Sequence, residues 1–238
     1  MADYTISEEQ RKSQLLPDST REVDVGIGKG WWYEQFNLRP SFNTWAQITF
    51  LHMWLLTVRL RTFPAAAAPI WHQHLTDHFF YLAEDKMVKL HGLNSRSARN
   101  RYLKDLFVQW RGSIAAYDQG LVESDAVLAA AIWRNICEAQ EEVDLTKLAL
   151  ITAYVRSAVK DLEGISDEHI ATAQVVFEDP SGETSLVMQR SRLWDQPFDV
   201  DGKGTAVSPP PRAESTGRPG KWQKAPQGTV VKGAATAK

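Results

Sequence analysis

Cysteine is almost absent from this sequence, and so are long apolar segments. The 238 residues contain one cysteine, Cys137, so no disulfide can form within the chain, and the fold does not need an oxidising compartment. The most apolar stretch, 45–60, has 16 residues and includes Gln47 and His52. A membrane-spanning helix needs about 20 predominantly apolar residues. We therefore predict that this stretch is a buried core helix.

The motifs of cofactor binding and catalysis are missing as well. Gly26, Gly28 and Gly30 suggest a dinucleotide loop, but Trp31 stands where the phosphate fingerprint needs its third glycine. We expect residues 18–29 to be a mobile loop instead. No Gly-x-Ser-x-Gly nucleophile motif occurs. Together these absences favour a binding protein without a cofactor over an enzyme.

Two histidines are candidate metal ligands. His74 and His78 are four residues apart, and this spacing places two ligands on one face of a helix. Neither the His-Glu-x-x-His motif nor the Glu-x-x-His motif of di-iron bundles accompanies them. We therefore predict no metal site, with both histidines solvated or packed.

Charge is distributed unevenly. The whole chain has a net charge of −2, whereas residues 201–238 hold seven basic and two acidic side chains, a net +5 that leaves −7 for the first 200. From residue 197 onwards the composition is rich in Pro, Gly, Ala, Thr and Lys. A segment of this kind buries too little apolar area to offset its chain entropy. We predict an acidic folded body followed by a disordered basic tail at 197–238.

Apolar residues recur at three- and four-residue steps through most of the body, a pattern typical of amphipathic helices. They predict an all-α fold, a single bundle of five to six helices at 41–175 behind an N-terminal arm at 1–40. Expected helices cover about 43–63, 70–89, 98–118, 125–138 and 145–163, with a short sixth to about 173.

Several local signals refine this prediction. Pro64 is expected to end the first long helix, and Gly120 the third. The aromatic cluster at 31–36 is expected to hold the arm against the body, and a short helix to begin near Ser7. Residues 175–177 and 186–188 are β-prone and predict a small hairpin within an extension at 176–196.

Tryptophan, tyrosine and arginine, the residues that dominate binding hot spots, are frequent on the predicted helices. Some have an alternative, structural role: Arg59 and Arg61 could solvate a helix end, and Arg134 could pair with Asp118 to tie two helices together. The candidates for contact with another polypeptide are Trp54, Arg59, Arg61, Tyr117, Asp118, Trp133, Arg134, Tyr154 and Arg156.

Two long blocks, 42–61 and 116–135, together with 74–80 and 154–156, carry a specific likeness. The sequence resembles the ubiquinol–cytochrome c chaperone family, most closely its fungal mitochondrial members. The resemblance implies an all-helical, non-catalytic assembly factor for the cytochrome bc1 complex (complex III). It further implies a small partner protein, attachment to the mitochondrial ribosome near the tunnel exit, and binding of newly made cytochrome b, whose translation is supported.

The resemblance also implies a location on the matrix side of the mitochondrial inner membrane. Because the most apolar stretch is too short to span it, we expect the chain to be at most peripheral to that membrane. The net charge of −2 gives no overall basic field, and we expect no binding to DNA. The N-terminal 24 residues lack the apolar core of a secretory signal, and Asp3, Glu8 and Glu9 are unusual in a transit peptide. We therefore expect the targeting segment to be either missing from this sequence or atypical.

Two other classes of function remain open at this point. One is a ribosome-tethering adaptor without contact to a client. The other is a quinone- or metal-dependent helical enzyme. For the chaperone, the basic tail could add salt-sensitive attraction to ribosomal RNA or anionic lipid.

Overall fold

A computed structural model describes residues 2–7 and 26–189 of the chain. The predicted short helix near Ser7 and the predicted disordered tail lie outside the described residues. Residues 18–25 of the predicted loop at 18–29 also lie outside the described residues.

The described residues form a helical bundle, which confirms the all-α prediction. A two-stranded sheet and a 3-10 helix at Pro180–Glu183 accompany the α-helices. The elements are β1 (Tyr4–Thr5), β2 (Ile27–Gly28), α1 (Trp31–Glu34), α2 (Phe42–Leu60), α3 (Ala68–Lys89), α4 (Arg96–Glu123), α5 (Asp125–Asn135), α6 (Leu145–Glu163), α7 (Asp167–Ala171) and α8 (Thr184–Val187).

Side-chain caps fix where most of the long helices begin. Ser41 accepts a hydrogen bond from the Thr44 amide at 3.1 Å, and Asp144 accepts one from the Thr146 amide at 2.9 Å. Ser95, Ser124 and Ser166 cap α4, α5 and α7 in the same way. Each cap satisfies an amide that has no partner within its own helix, so these polar residues mark helix starts in the sequence.

Helix α2 is the centre of the bundle. It packs against α3, α4 and α6, and residues on every side of it are buried, as expected of a helix that neighbours surround. Trp45, Phe50 and Trp54 are at most 1% exposed. The apolar stretch at 45–60 is thus a core helix, as predicted. Within the described residues, no helix combines the length and the apolar character that crossing a bilayer requires.

The N-terminal segment is held more firmly than the predicted loop suggested. Tyr4 pairs with Gly28, and Thr5 with Ile27, in an antiparallel ladder, so the loop prediction is wrong at Ile27–Gly28. Trp31 and Trp32, which begin α1, are each 5% exposed. The Trp32 ring meets His52 of α2 edge to face at 6.0 Å between centroids. These buried rings join the segment to the bundle, and this burial favours an ordered backbone.

Two further predictions are corrected. Gly120 does not end α4, which continues to Glu123. The hairpin is absent from the described residues: Leu186 and Val187 lie in α8, directly after the 3-10 helix, whose first turn Asp179 caps through the Ser181 amide at 2.9 Å. This cap and Pro180, which lacks an amide proton, favour a helical turn over a strand.

Candidate functional site

The α4–α5 corner brings two helix backbones into close contact. A Cβ atom added to Gly120 would lie 2.5 Å from the Cα of Leu128, so only glycine allows the two helices to approach this closely. Between them Ser124 adopts an extended conformation, and its hydroxyl accepts a hydrogen bond from the Val127 amide at 3.3 Å. The corner therefore turns the chain with a single residue between two helices.

Arg156 of α6 closes this corner from the side. Its guanidinium donates to the carbonyl oxygens of Leu121 at 2.7 Å and Gly120 at 3.2 Å, and to the Asp125 carboxylate at 2.8 Å. Two carbonyls at the end of α4 are thereby satisfied, and one carboxylate at the start of α5 is paired. A single cation thus links three helices; the dipole of α4 favours a cation at its C-terminal end, and the dipole of α5 favours the Asp125 carboxylate at its start.

A second cation lies on the other side of α4. Arg61 donates to both carboxylate oxygens of Asp118 at 2.8 Å, and the indole nitrogen of Trp54 donates to the same carboxylate at 2.9 Å. Burial alone would raise the pKa of Asp118, but the hydrogen bonds from Arg61 and Trp54 and the charge of Arg61 outweigh it, and the net pKa is lowered. Asp118 is therefore a charged anchor for the end of α2.

These contacts correct one predicted pair. Arg134 does not bind Asp118, because Arg61 occupies both oxygens of that carboxylate. Arg134 is exposed on α5. Its neighbour Trp133 is partly buried, and its indole nitrogen donates to the Gln140 carbonyl at 2.7 Å.

Arg59 does more than solvate a helix end. Its guanidinium donates to the carbonyl oxygens of Leu162 at 2.9 Å and Ile165 at 2.7 Å, and it pairs with Asp167 at 2.6 Å. The side chain is only 10% exposed. Arg59 therefore ties α2 to the turn between α6 and α7 and offers little surface to a partner.

Three of the aromatic candidates lie in the core. Trp54 and Tyr117 are fully buried, with ring centroids 5.3 Å apart, and Tyr154 is 6% exposed. The Tyr154 hydroxyl lies 3.0 Å from Nε2 of His52, whose Nδ1 lies 2.7 Å from the Ile48 carbonyl. Burial lowers the pKa of His52 to about 4, even though the Ile48 carbonyl favours the charged ring. The imidazole is thus neutral, with Nδ1 donating to Ile48 and Nε2 accepting from Tyr154.

The structure therefore divides the nine candidates into two groups. Trp54, Tyr117, Tyr154 and Arg59 build the core and its junctions. The surface is left to side chains around the two ends of α5 and the end of α2, namely Arg61, Asp118, Trp133, Arg134 and Arg156. Among the residues that the structure describes, no group of His, Cys, Asp or Glu is arranged to hold a metal ion, and His74 and His78 are exposed.

A groove that the sequence analysis missed starts at this corner. It runs between α5 and α6, has a volume of about 720 Å³, and is mostly apolar, with Arg156 and Asp125 in its lining. Four alanines line its two walls, Ala126 and Ala129 on α5 and Ala149 and Ala153 on α6, and Leu186 and Val187 of α8 also border it. These positions are three or four residues apart within each helix, so the alanines share one helix face. This spacing of small residues is the feature of the sequence that indicates the groove. We call this cleft the alanine groove.

Both the sequence and the fold of this chain are similar to those of known proteins. The family model of the ubiquinol-cytochrome C chaperones matches residues 34–177. "Protein CBP3, mitochondrial" of Saccharomyces cerevisiae is 35% identical over 150 residues, 63% of this chain and 45% of that protein. The chain thus spans less than half the length of the yeast relative. Ubiquinol-cytochrome-c reductase complex assembly factor 1 of Xenopus laevis is 30% identical over 61% of this chain and 71% of that protein.

A solved structure has the same fold. The crystal structure of the Cbp3 homolog from Brucella abortus superposes with a TM-score of 0.53 at 24% identity, covering 63% of this chain and 81% of that one. The family match extends over more than half of the chain and includes both the α4–α5 corner and the helices of the alanine groove. The family's name describes a chaperone, which is a non-enzymatic role. The chain belongs to the ubiquinol-cytochrome C chaperone family.

Proposed function

We propose that this protein is a mitochondrial assembly chaperone of complex III that binds newly made cytochrome b at the mitochondrial ribosome, near the tunnel exit on the matrix side of the inner membrane. It acts there with a small partner protein and supports cytochrome b translation. Family membership supports this role, as does the name of the Xenopus laevis relative, which refers to assembly of the ubiquinol–cytochrome c reductase complex. The surface candidates for the partner or client are Arg61, Asp118, Trp133, Arg134 and Arg156.

The alanine groove is the observation on which the client proposal rests. Before insertion, a membrane helix exposes apolar side chains to water and tends to aggregate. Small residues let another helix approach the backbone closely, which is how membrane helices pack on one another. Ala129 and Ala153 are partly exposed on facing walls of the groove. A transmembrane segment lying between them would be shielded without unfolding the bundle.

The polar end of the groove suits the same client. Arg156 and Asp125 pair with each other at 2.8 Å, so their charges are largely balanced. Lys160 lies further along the lining and is exposed. A polar rim beside an apolar floor is the usual layout of a groove that holds an amphipathic or apolar helix.

Site-specific photo-crosslinking tests this proposal. A photoreactive amino acid is placed at Ala129 or Ala153 of the full chain, and at Val176, which is 89% exposed, as a control outside the groove. Mitochondria then synthesise radiolabelled protein and are irradiated. We expect crosslinks to cytochrome b from both groove positions and far fewer from Val176. Crosslinks from the groove to ribosomal proteins alone would support the tethering adaptor instead and would contradict client binding.

A further inference from the structure

A second groove lies on the other side of the bundle, between α3 and α4. It has a volume of about 550 Å³, and apolar side chains of both helices line it: Phe80 from α3, and Leu103, Phe107 and Val108 from α4. Val108 is 70% exposed and Phe107 46%. Side chains of this kind are usually covered when they lie together. We call this cleft the hairpin groove, because α3 and α4 are consecutive helices.

Positive charge borders the hairpin groove on its α4 side. Lys104 is part of the lining. Arg96 and Arg111 follow the same face of α4, since they stand two turns before and two turns after Lys104. None of these three side chains forms an ion pair with another described residue. The one acidic residue in the lining, Asp77 on α3, accepts a hydrogen bond from Gln73 at 2.7 Å and keeps its negative charge. It offsets one of the three cations, so the border of the groove keeps an excess of positive charge on the α4 side.

Shape and charge together define what fits there. A shallow cleft between two packed helices takes a third helix along its length. The apolar lining requires an apolar stripe on that helix, and the unpaired cations favour acidic residues beside the stripe. We propose that the hairpin groove binds an acidic amphipathic helix of a partner protein. This extends the proposed function and rests on it only in assuming that the chaperone works in a complex.

A helix bound in this groove would touch each wall over about two of its own turns. The lining runs from Gln73 to Phe80 on α3 and from Asn100 to Val108 on α4, roughly 10–12 Å along each helix. Its apolar stripe would meet Phe80, Phe107 and Val108. Its carboxylates would lie towards Lys104 and Arg111. This surface is separate from the alanine groove, since none of its lining residues belongs to α5 or α6.

A binding assay with defined probes tests the proposal on the full chain. The first probe is a fluorescent amphipathic peptide of about 20 residues, or about 30 Å of helix, with leucines on one face and glutamates on the other. The second has lysine in place of every glutamate. The third consists of phosphatidylcholine–phosphatidylglycerol vesicles, which present an anionic surface without a helix. We expect the glutamate peptide to bind at least about tenfold more tightly than the lysine peptide at low salt, and less tightly as salt is raised.

Substitutions locate the binding. Val108→Glu and Lys104→Glu each change an exposed residue in the groove, and we expect each to weaken glutamate-peptide binding at least about tenfold. Val122→Glu is the matched control, because Val122 is 84% exposed on the same helix but about 21 Å further along. Circular dichroism verifies that all three variants keep their helices.

The possible outcomes separate the alternatives. Equal binding of the two peptides, or equal effects of Val108→Glu and Val122→Glu, would overturn the proposal. Vesicle binding that depends on Lys104 and Val108, without binding of the glutamate peptide, would also overturn it and identify a membrane contact. Because no probe contains cytochrome b, failure here leaves the crosslinking result at the alanine groove unaffected. Conversely, a failed crosslink there does not change what the peptides show.

Discussion

Replacing glycine by alanine is expected to have opposite effects on stability at two positions in α4. At Gly112 an added Cβ would meet nothing within 4 Å, whereas at Gly120 it would lie 2.5 Å from the Cα of Leu128 and 2.9 Å from its nitrogen. Both residues are inside the helix. Gly→Ala at either site gains the helical preference of alanine, about 1 kcal/mol. Only Gly120→Ala adds the cost of forcing two helices apart.

The size of the difference follows from which atoms are in the way. Overpacking usually costs about 1–3 kcal/mol, and the upper part of that range applies here because backbone atoms cannot rotate aside. Subtracting the gain of about 1 kcal/mol leaves Gly120→Ala less stable than the parent by about 1–2 kcal/mol. Gly112→Ala is more stable by up to about 1 kcal/mol. The two variants should therefore differ by about 2–3 kcal/mol.

Thermal unfolding followed by circular dichroism measures this difference. For a domain of this size, 1 kcal/mol corresponds to about 2–4 °C in Tm, so we expect the Gly112→Ala variant to melt about 5–10 °C above the Gly120→Ala variant. Urea titration gives the free energies of unfolding independently of temperature. Equal Tm values, or a Gly120→Ala variant more stable than the parent, would show that α4 and α5 are not in the contact described here.

Two further predictions concern a partly buried histidine and the basic tail. The pKa of His52 is about 4 in the folded protein and about 6.5 in an unfolded chain. Between these values the unfolded state binds more protons, so acidification from pH 7 to 4.5 lowers stability, by up to about 3 kcal/mol from this ring. Urea titrations at the two pH values should show a smaller loss of stability for His52→Gln, and equal losses would contradict a neutral imidazole at this position. Removing residues 198–238 deletes seven basic and three acidic side chains, and this should reduce cosedimentation with mitochondrial ribosomes at low salt. Unchanged sedimentation would exclude a role of the tail in ribosome attachment.

Helices could be predicted from this sequence because their signals are local. The five long helices were each indicated by an apolar period and, in most cases, by a capping Ser or Asp at the start. Pro64, likewise, lies just beyond α2. Such signals depend on neighbours a few residues away, so the chain alone contains them. The two-residue strands had no comparable signal, because a ladder of this length depends on where the rest of the fold places its two segments.

The errors arose where a distant contact determines the role of a residue. Gly120 looked like a helix end, but its lack of a side chain serves the approach of Leu128. By charge alone, Arg134 and Arg61 are equally good partners for Asp118. Arg61 forms the pair because α2 packs beside α4. In the same way, Trp54 and Tyr117 were sensible hot-spot candidates by residue type. Their complete burial follows from α2 being the central helix.

The location of these contacts determines which experiments can reveal function. The blocks that carry the family likeness supply Arg61, Asp118, Gly120 and Arg156, and these residues join the helices to one another. Substituting them would lower stability and binding together, so a loss of activity there would not identify a binding surface. Exposed side chains such as Val108 and Lys104 hold no helix in place. A loss of binding in their variants, with the helices intact, can be attributed to the missing contact with a partner.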